Sequence, residues 1–110
     1  MISELISENE FKRRLALWTL ENDRGVFLPS AVTKSEFVEN FRLPEFEFTH
    51  TQSYADENGD LITLLKSEIR LSAWETKNGK EPRKFVFYKI LKTVTDESVL
   101  EPKTIGYITA

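Results

Sequence analysis

Apolar positions in the first 22 residues recur with a helical period. Phe11, Leu15 and Trp18 stand at i, i+4 and i+7, and Leu17 and Leu20 widen the stripe. Ser7 with Glu10 fits a capping box, while Lys12, Arg13 and Arg14 fall partly on the opposite face. The stretch "ENDRG" stops the helix, with Gly25 in place for a C-terminal cap. A second capping box, Thr33 with Glu36, opens a short helix carrying Phe37, Val38 and Phe41, and Pro44 ends it.

From Glu45 the period changes to two. In "EFEFTHTQSY", Phe46, Phe48, His50, Gln52 and Tyr54 share one face, and Glu47, Thr49 and Thr51 the other. Asn58-Gly59 then gives a strong hairpin signal, and "LITLLKSEIRLSAWE" alternates again. A second Asn-Gly, at 78–79, leads into "RKFVFYKILK", which is apolar on both faces. After "DESVLEPK", the short tail "TIGYITA" is β-prone and reads as a fourth strand.

Tight two-residue turns at both Asn-Gly pairs predict mutually consistent registers. The first sets Phe46 against Leu71, Phe48 against Ile69 and Glu47 against Arg70. The second sets Leu71 against Val86, Ile69 against Tyr88 and Glu68 against Lys89, although Pro82 argues for a longer connection there. Apolar pairs fall on one side and opposite charges on the other, each worth a few tenths to about 1 kcal/mol. The expected inner face is therefore Phe46, Phe48, Leu65, Ile69, Leu71, Val86, Tyr88, Ile90 and Val94, covered by the N-terminal helix.

The predicted fold is α+β: an N-terminal helix and a short second helix packed on one face of an antiparallel three- to four-stranded β-meander. No internal repeat or linker divides the chain, so residues 1–110 read as a single domain. The order of elements resembles cystatin-like folds and the curved-sheet cone folds. That resemblance is architectural, and architecture carries no function by itself.

Composition changes this picture little. With 40% apolar and 30% charged residues the chain reads as an ordinary soluble domain. There is no cysteine, which excludes disulfides and thiolate chemistry and fits a reducing, cytoplasmic setting. No apolar run is long enough for a membrane span or resembles a signal peptide. The charge is uneven: residues 1–60 carry 12 acidic and 6 basic groups, residues 61–95 carry 3 and 8. A net −6 joined to a net +5 makes a dipolar surface able to steer partners.

Candidate chemistry is sparse. Asp56, Asn58 and Asp60 have the alternate spacing of a calcium loop, but the glycine comes at the fourth position and Ser67 stands where a bidentate Glu is required. A solvated turn is the better reading, with no metal and no cofactor. His50, the single histidine, is expected partly buried and bonded to a backbone carbonyl, without a nucleophile or orienting acid around it. No catalytic motif points to an enzyme.

The remaining candidate is the outer face of the sheet, where Trp74, Phe85, Phe87 and Leu91 are expected to form an apolar patch. Arg70, Trp74, Phe85, Phe87 and Lys89 are the expected contacts with a partner, fringed by Lys77, Lys80, Arg83 and Lys84 as an electrostatic rim. The expectation is a small non-enzymatic protein-binding module of inhibitor, immunity or adaptor type, microbial or phage in character. The alternative is a single-stranded nucleic-acid binder stacking bases on the same face. A cone-fold ligand carrier or enzyme with His50 and Tyr54 in a cavity comes third, and a homodimer using the sheet face fits the same pattern. If the chain itself covers Phe85 and Phe87, this surface is lost.

Overall fold

The computed structural model describes residues 4–95 and 100–109. The start of the predicted first helix (residues 1–3), residues 96–99 of the last connection and Ala110 lie outside the described residues. In order, the elements are α1 (Glu8–Asn22), α2 (Lys34–Asn40), β1 (Thr49–Ala55), β2 (Leu61–Leu71), β3 (Arg83–Thr93) and β4 (Lys103–Thr109). The strands form an antiparallel open sheet in the order β1-β2-β3-β4, so the α+β meander with a fourth strand is as the sequence predicts. By its contacts the chain divides into two compact units. One contains Met1–Ser7, Phe46–Ser67 and Val86–Ala110, the other Glu8–Glu45 and Glu68–Phe85.

In the helical unit, Phe11, Leu15, Ala16 and Leu20 are the buried stripe of α1. Its partner on β3 is Phe85, whose ring lies 6.2 Å from Phe11 and 5.7 Å from Trp18. The face expected to look outward is thus the one that meets the helix, while Val86 points the other way. Glu10 binds Arg13 (2.7 Å) and Arg14 (3.1 Å) along the exposed side. Hydrogen bonds from these two arginines draw its carboxyl down to about 2 against the opposing effect of desolvation.

The end of α1 is capped from afar rather than by Gly25, which keeps a negative φ. The Lys77 backbone N–H donates to Asn22 O at 2.8 Å, its ammonium donates to Leu20 O, and Arg24 N–H donates to Glu75 O at 2.9 Å. The two Lys77 bonds satisfy carbonyls that the helix end leaves open, and the Arg24 bond ties the chain after α1 to the β2–β3 connection. Thr33 caps α2 as predicted, accepting from Glu36 N–H at 3.1 Å. The helix stops at Asn40 because Phe41 turns extended, at φ −63° and ψ 131°.

The second connection is far longer than a two-residue turn. Strand β2 ends at Leu71, and the Glu75 carboxylate accepts the Ser72 N–H at 2.8 Å, a bond that also lowers the Glu75 pKa. Thr76, fully buried, gathers Ala73 O, Asn78 Oδ1 and the Gly79 N–H around its hydroxyl. Gly79 takes φ +63°, which a side chain would resist.

In the other unit, Phe87 is 0% exposed at the centre of an aromatic cluster. Phe46 lies edge-on at 4.9 Å and Phe48 at 6.0 Å, geometry that favours the ring quadrupoles. Both phenylalanines come from the segment before β1, whose Glu47 carbonyl accepts the buried Ser67 hydroxyl at 2.8 Å. Residues 45–48 are therefore not ladder-forming, and Glu47 does not pair across a strand with Arg70. Arg70 binds Glu68 instead, at 2.8 Å.

The first hairpin also departs from the predicted register. Ala55 pairs with Leu61 and Tyr54 with Ile62, so the loop is one residue longer than a tight Asn-Gly turn. Asp56 N–H donates to Asp60 O at 2.9 Å, and Gly59 supplies φ +82°. A bulge between His50 and Gln52 then shifts the register again, giving His50 opposite Leu65 and Thr49 opposite Lys66.

Candidate functional site

The two irregularities of β1 decide which side chains meet. Direct antiparallel partners project to the same side of a sheet. Tyr54 therefore shares a face with Ile62, and Gln52 with Leu64. On β3 and β4, Tyr88 pairs with Ile108 and Ile90 with Gly106. A second bulge, between Ile90 and Leu91, leaves Ile105 as the extra residue. Tyr54, Ile62, Leu64, Ile90, Ile105 and Ile108, with Leu5, line an open groove of about 310 Å³.

Leu5 reaches this groove because β4 has a glycine beside it. Ile6 forms a bridge with Tyr107, donating to its carbonyl at 2.8 Å and accepting its N–H at 2.9 Å. A Cβ on Gly106 would stand 2.7–2.8 Å from Leu5 side-chain atoms and Ile6 O, so only glycine admits this approach. Among the groove residues Tyr54 is 50% exposed, Leu5 47% and Ile105 43%. Single exposed apolar side chains are ordinary, but a contiguous set around one depression marks an interaction surface.

Asp56 is the one charged residue in the lining. Desolvation pushes its carboxyl up, but hydrogen bonds from the Asp60 and Asn58 N–H groups and the nearby Lys92 ammonium outweigh this and hold it below its ordinary value. Lys92 Nζ stands 3.6 Å from both Asp56 and Asp60. Asp60 further accepts the Thr95 N–H at 3.2 Å. "DENGD" is thus a hydrogen-bonded turn with a lysine between its two aspartates. Among the described residues no three of His, Cys, Asp and Glu gather as a metal site.

The predicted contact residues are not brought together as one patch. Phe87 is enclosed by Phe46 and Phe48, and Phe85 is half-buried against Phe11 and Trp18. The Phe87 ring presents no free face to a partner or a base. Lys89 lies with its ammonium 5.4 Å above the Phe48 ring, a cation–π contact. Trp74 sits in the connection after β2, 79% exposed, beneath the Arg24 guanidinium at 5.1 Å, and Arg24 also donates to its carbonyl. Arg70, Lys80, Arg83 and Lys84 are exposed, whereas the Lys77 ammonium is committed to the end of α1.

His50 is exposed rather than partly buried, and its Nε2 lies 2.8 Å from Ser53 Oγ instead of a backbone carbonyl. Ser53 Oγ lies a further 3.4 Å from Thr63 Oγ1, so the imidazole and the two hydroxyls form one exposed polar chain.

One-faced alternation in "LITLL" does not reveal the groove. Ile62 and Leu64 are apolar on the opposite side from Leu65, and that two-sided pattern was the available signal. The arrangement defines an α+β protein whose sheet bears an open apolar groove. No protein-family model matches the chain, and no curated protein or solved structure matches it significantly. Among the described residues no helix is long and apolar enough to cross a membrane.

Proposed function

We propose that this is a small non-enzymatic protein-binding module, acting as an inhibitor, immunity factor or adaptor by occupying a partner's surface. The observation that carries the reading is the groove of Tyr54, Ile62, Leu64, Ile90 and Ile108, flanked by exposed Leu5 and Ile105. Its lining is aliphatic apart from Tyr54 and Asp56, a composition closer to an interface core than to a catalytic pocket. The surface differs from the Arg70, Trp74, Phe85, Phe87 and Lys89 set expected from sequence. Of the aromatics in that set, Phe87 is enclosed and Phe85 half-buried against Phe11 and Trp18, which leaves Trp74 exposed.

The test is a double variant, Tyr54→Ser with Ile105→Ser, both at exposed positions. Cooperative melting should survive, while a protein captured by the wild-type chain from its host is lost at least tenfold. A partner retained equally by variant and wild type overturns this placement. So does tight, stoichiometric binding of a small apolar ligand in the groove, which would make the protein a carrier.

A further inference from the structure

The two edges of the sheet are treated differently by the chain. At β4, Ile6 bridges to Tyr107 through two backbone hydrogen bonds. At the other end β1 has β2 as its single neighbour in the strand order. An edge strand turns alternate N–H and C=O groups away from the sheet, and natural proteins guard such edges with charge, proline, bulges or short strands; β1 has the bulge but not the charge or proline. Strand β1, "THTQSYA", carries no Asp, Glu, Lys, Arg or Pro, and it is exposed throughout. Its bulge interrupts the strand between His50 and Gln52 and leaves Gln52–Ala55 in even register.

Tyr54 belongs both to this edge and to the lining of the groove. A strand added beside β1 would put every second side chain on the face that bears Tyr54, the face on which Ile62 and Leu64 lie beyond it. The charge pattern selects what that strand is. Glu45 and Glu47 precede β1 and Glu57 follows it, next to Asp56, which is already paired with Lys92. A second copy, paired antiparallel about Gln52, would bring the acids that lead into β1 near those that follow it at both ends. Paired parallel and in register, it would bring each acid against itself. Like charges placed opposite are destabilising, so the edge is complementary to a foreign strand with basic ends and not to itself.

We propose that β1 takes up an extended segment of the partner protein by strand addition, with alternate apolar side chains facing the groove and Lys or Arg flanking a neutral centre. This rests on the protein-binding reading and specifies how the partner is held. Backbone hydrogen bonds along β1 supply the attachment, the groove selects the apolar side chains, and the flanking acids set the strand's ends.

The test uses synthetic 11-residue peptides with alternating Ile and Thr at the centre, flanked by two Lys or by two Glu at each end. Binding is followed by amide chemical shifts and hydrogen exchange in the full chain. The lysine-flanked peptide should bind at least tenfold tighter than the glutamate-flanked one, and slow exchange at β1 amides. Gln52→Lys should weaken it about tenfold without altering the melt, because the new cation stands at the middle of β1, beside the strand's neutral, apolar centre. Equal affinity for the two peptides, protection elsewhere than β1, or no binding at millimolar peptide overturns the proposal. A dimer in sedimentation, abolished by Gln52→Lys, overturns it as well. If Gln52→Lys keeps the native partner while the Tyr54→Ser, Ile105→Ser variant loses it, strand addition is wrong and the groove reading stands. If neither variant affects the partner, both fail.

Discussion

Replacing Phe87 by alanine separates a core residue from a surface contact most sharply. The ring is 0% exposed and meets Phe46 at 4.9 Å and Phe48 at 6.0 Å. Truncation removes its transfer free energy and leaves a cavity among side chains that relax only in part, a cost of about 3–5 kcal/mol for Phe→Ala. The two edge-on ring pairs, each worth roughly 0.5–1.5 kcal/mol beyond burial, place the value toward the upper end. A domain of this size has only about 5–15 kcal/mol of stability to lose.

The assay is urea unfolding followed by far-UV circular dichroism. With a slope of about 2 kcal/mol per molar, the midpoint should fall by roughly 1.5–2.5 M at unchanged slope. If Phe87 were instead a solvent-facing contact, the shift would stay within about 0.5 kcal/mol. A loss below about 1 kcal/mol would therefore refute the burial of this face, and with it the transfer of the binding surface to the groove side.

Four further outcomes follow from the geometry. Gly106→Ala should destabilise by about 1–3 kcal/mol, since the new methyl meets the fixed Ile6 carbonyl, and should speed hydrogen exchange at the Tyr107 amide. Gly59→Ala should cost about 1 kcal/mol in the same urea assay, because its φ of +82° penalises any side chain. Lys77→Met should lose about 0.5–1 kcal/mol by removing a cation from the C-terminal end of α1, an effect that shrinks in high salt. Glu10 is held at about 2 against 4.5 when unfolded, so its contribution is complete above 4.5 and lost as pH falls toward 2. Glu10→Gln should accordingly flatten the decline of the urea midpoint across that acid range.

Element type was legible wherever one periodic signal dominated. The α1 stripe, the Thr33 cap and the tail strand were all readable because local chemistry decides them. What failed depended on non-local facts. Strand β3 is apolar on both sides, so alternation could not say whether Phe85 or Val86 met the helix; Phe11 and Trp18 decided it. Phe46 and Phe48 kept the period of a strand but serve as a lid on Phe87, for which sequence has no separate mark. Trp74 continued an alternation that the Ser72–Glu75 hydrogen bonds had already broken.

The candidate site follows from a single extra residue in a turn. Asn58-Gly59 suggested a two-residue connection, which would set Tyr54 opposite Thr63. The longer loop sets it opposite Ile62, moving Tyr54 to the groove side. Left uncorrected, this slip would carry through the strand, but the bulge before Gln52 restores His50 to the side of Leu65. Strand β1 thus contributes a groove residue at its turn end and follows the opposite parity at the other. Deleting Glu57 should recreate the tight turn and return Tyr54 to the far side without changing the strand order. A structure of that deletion with Tyr54 still beside Ile62 would show that packing in the groove, rather than loop length, sets the register.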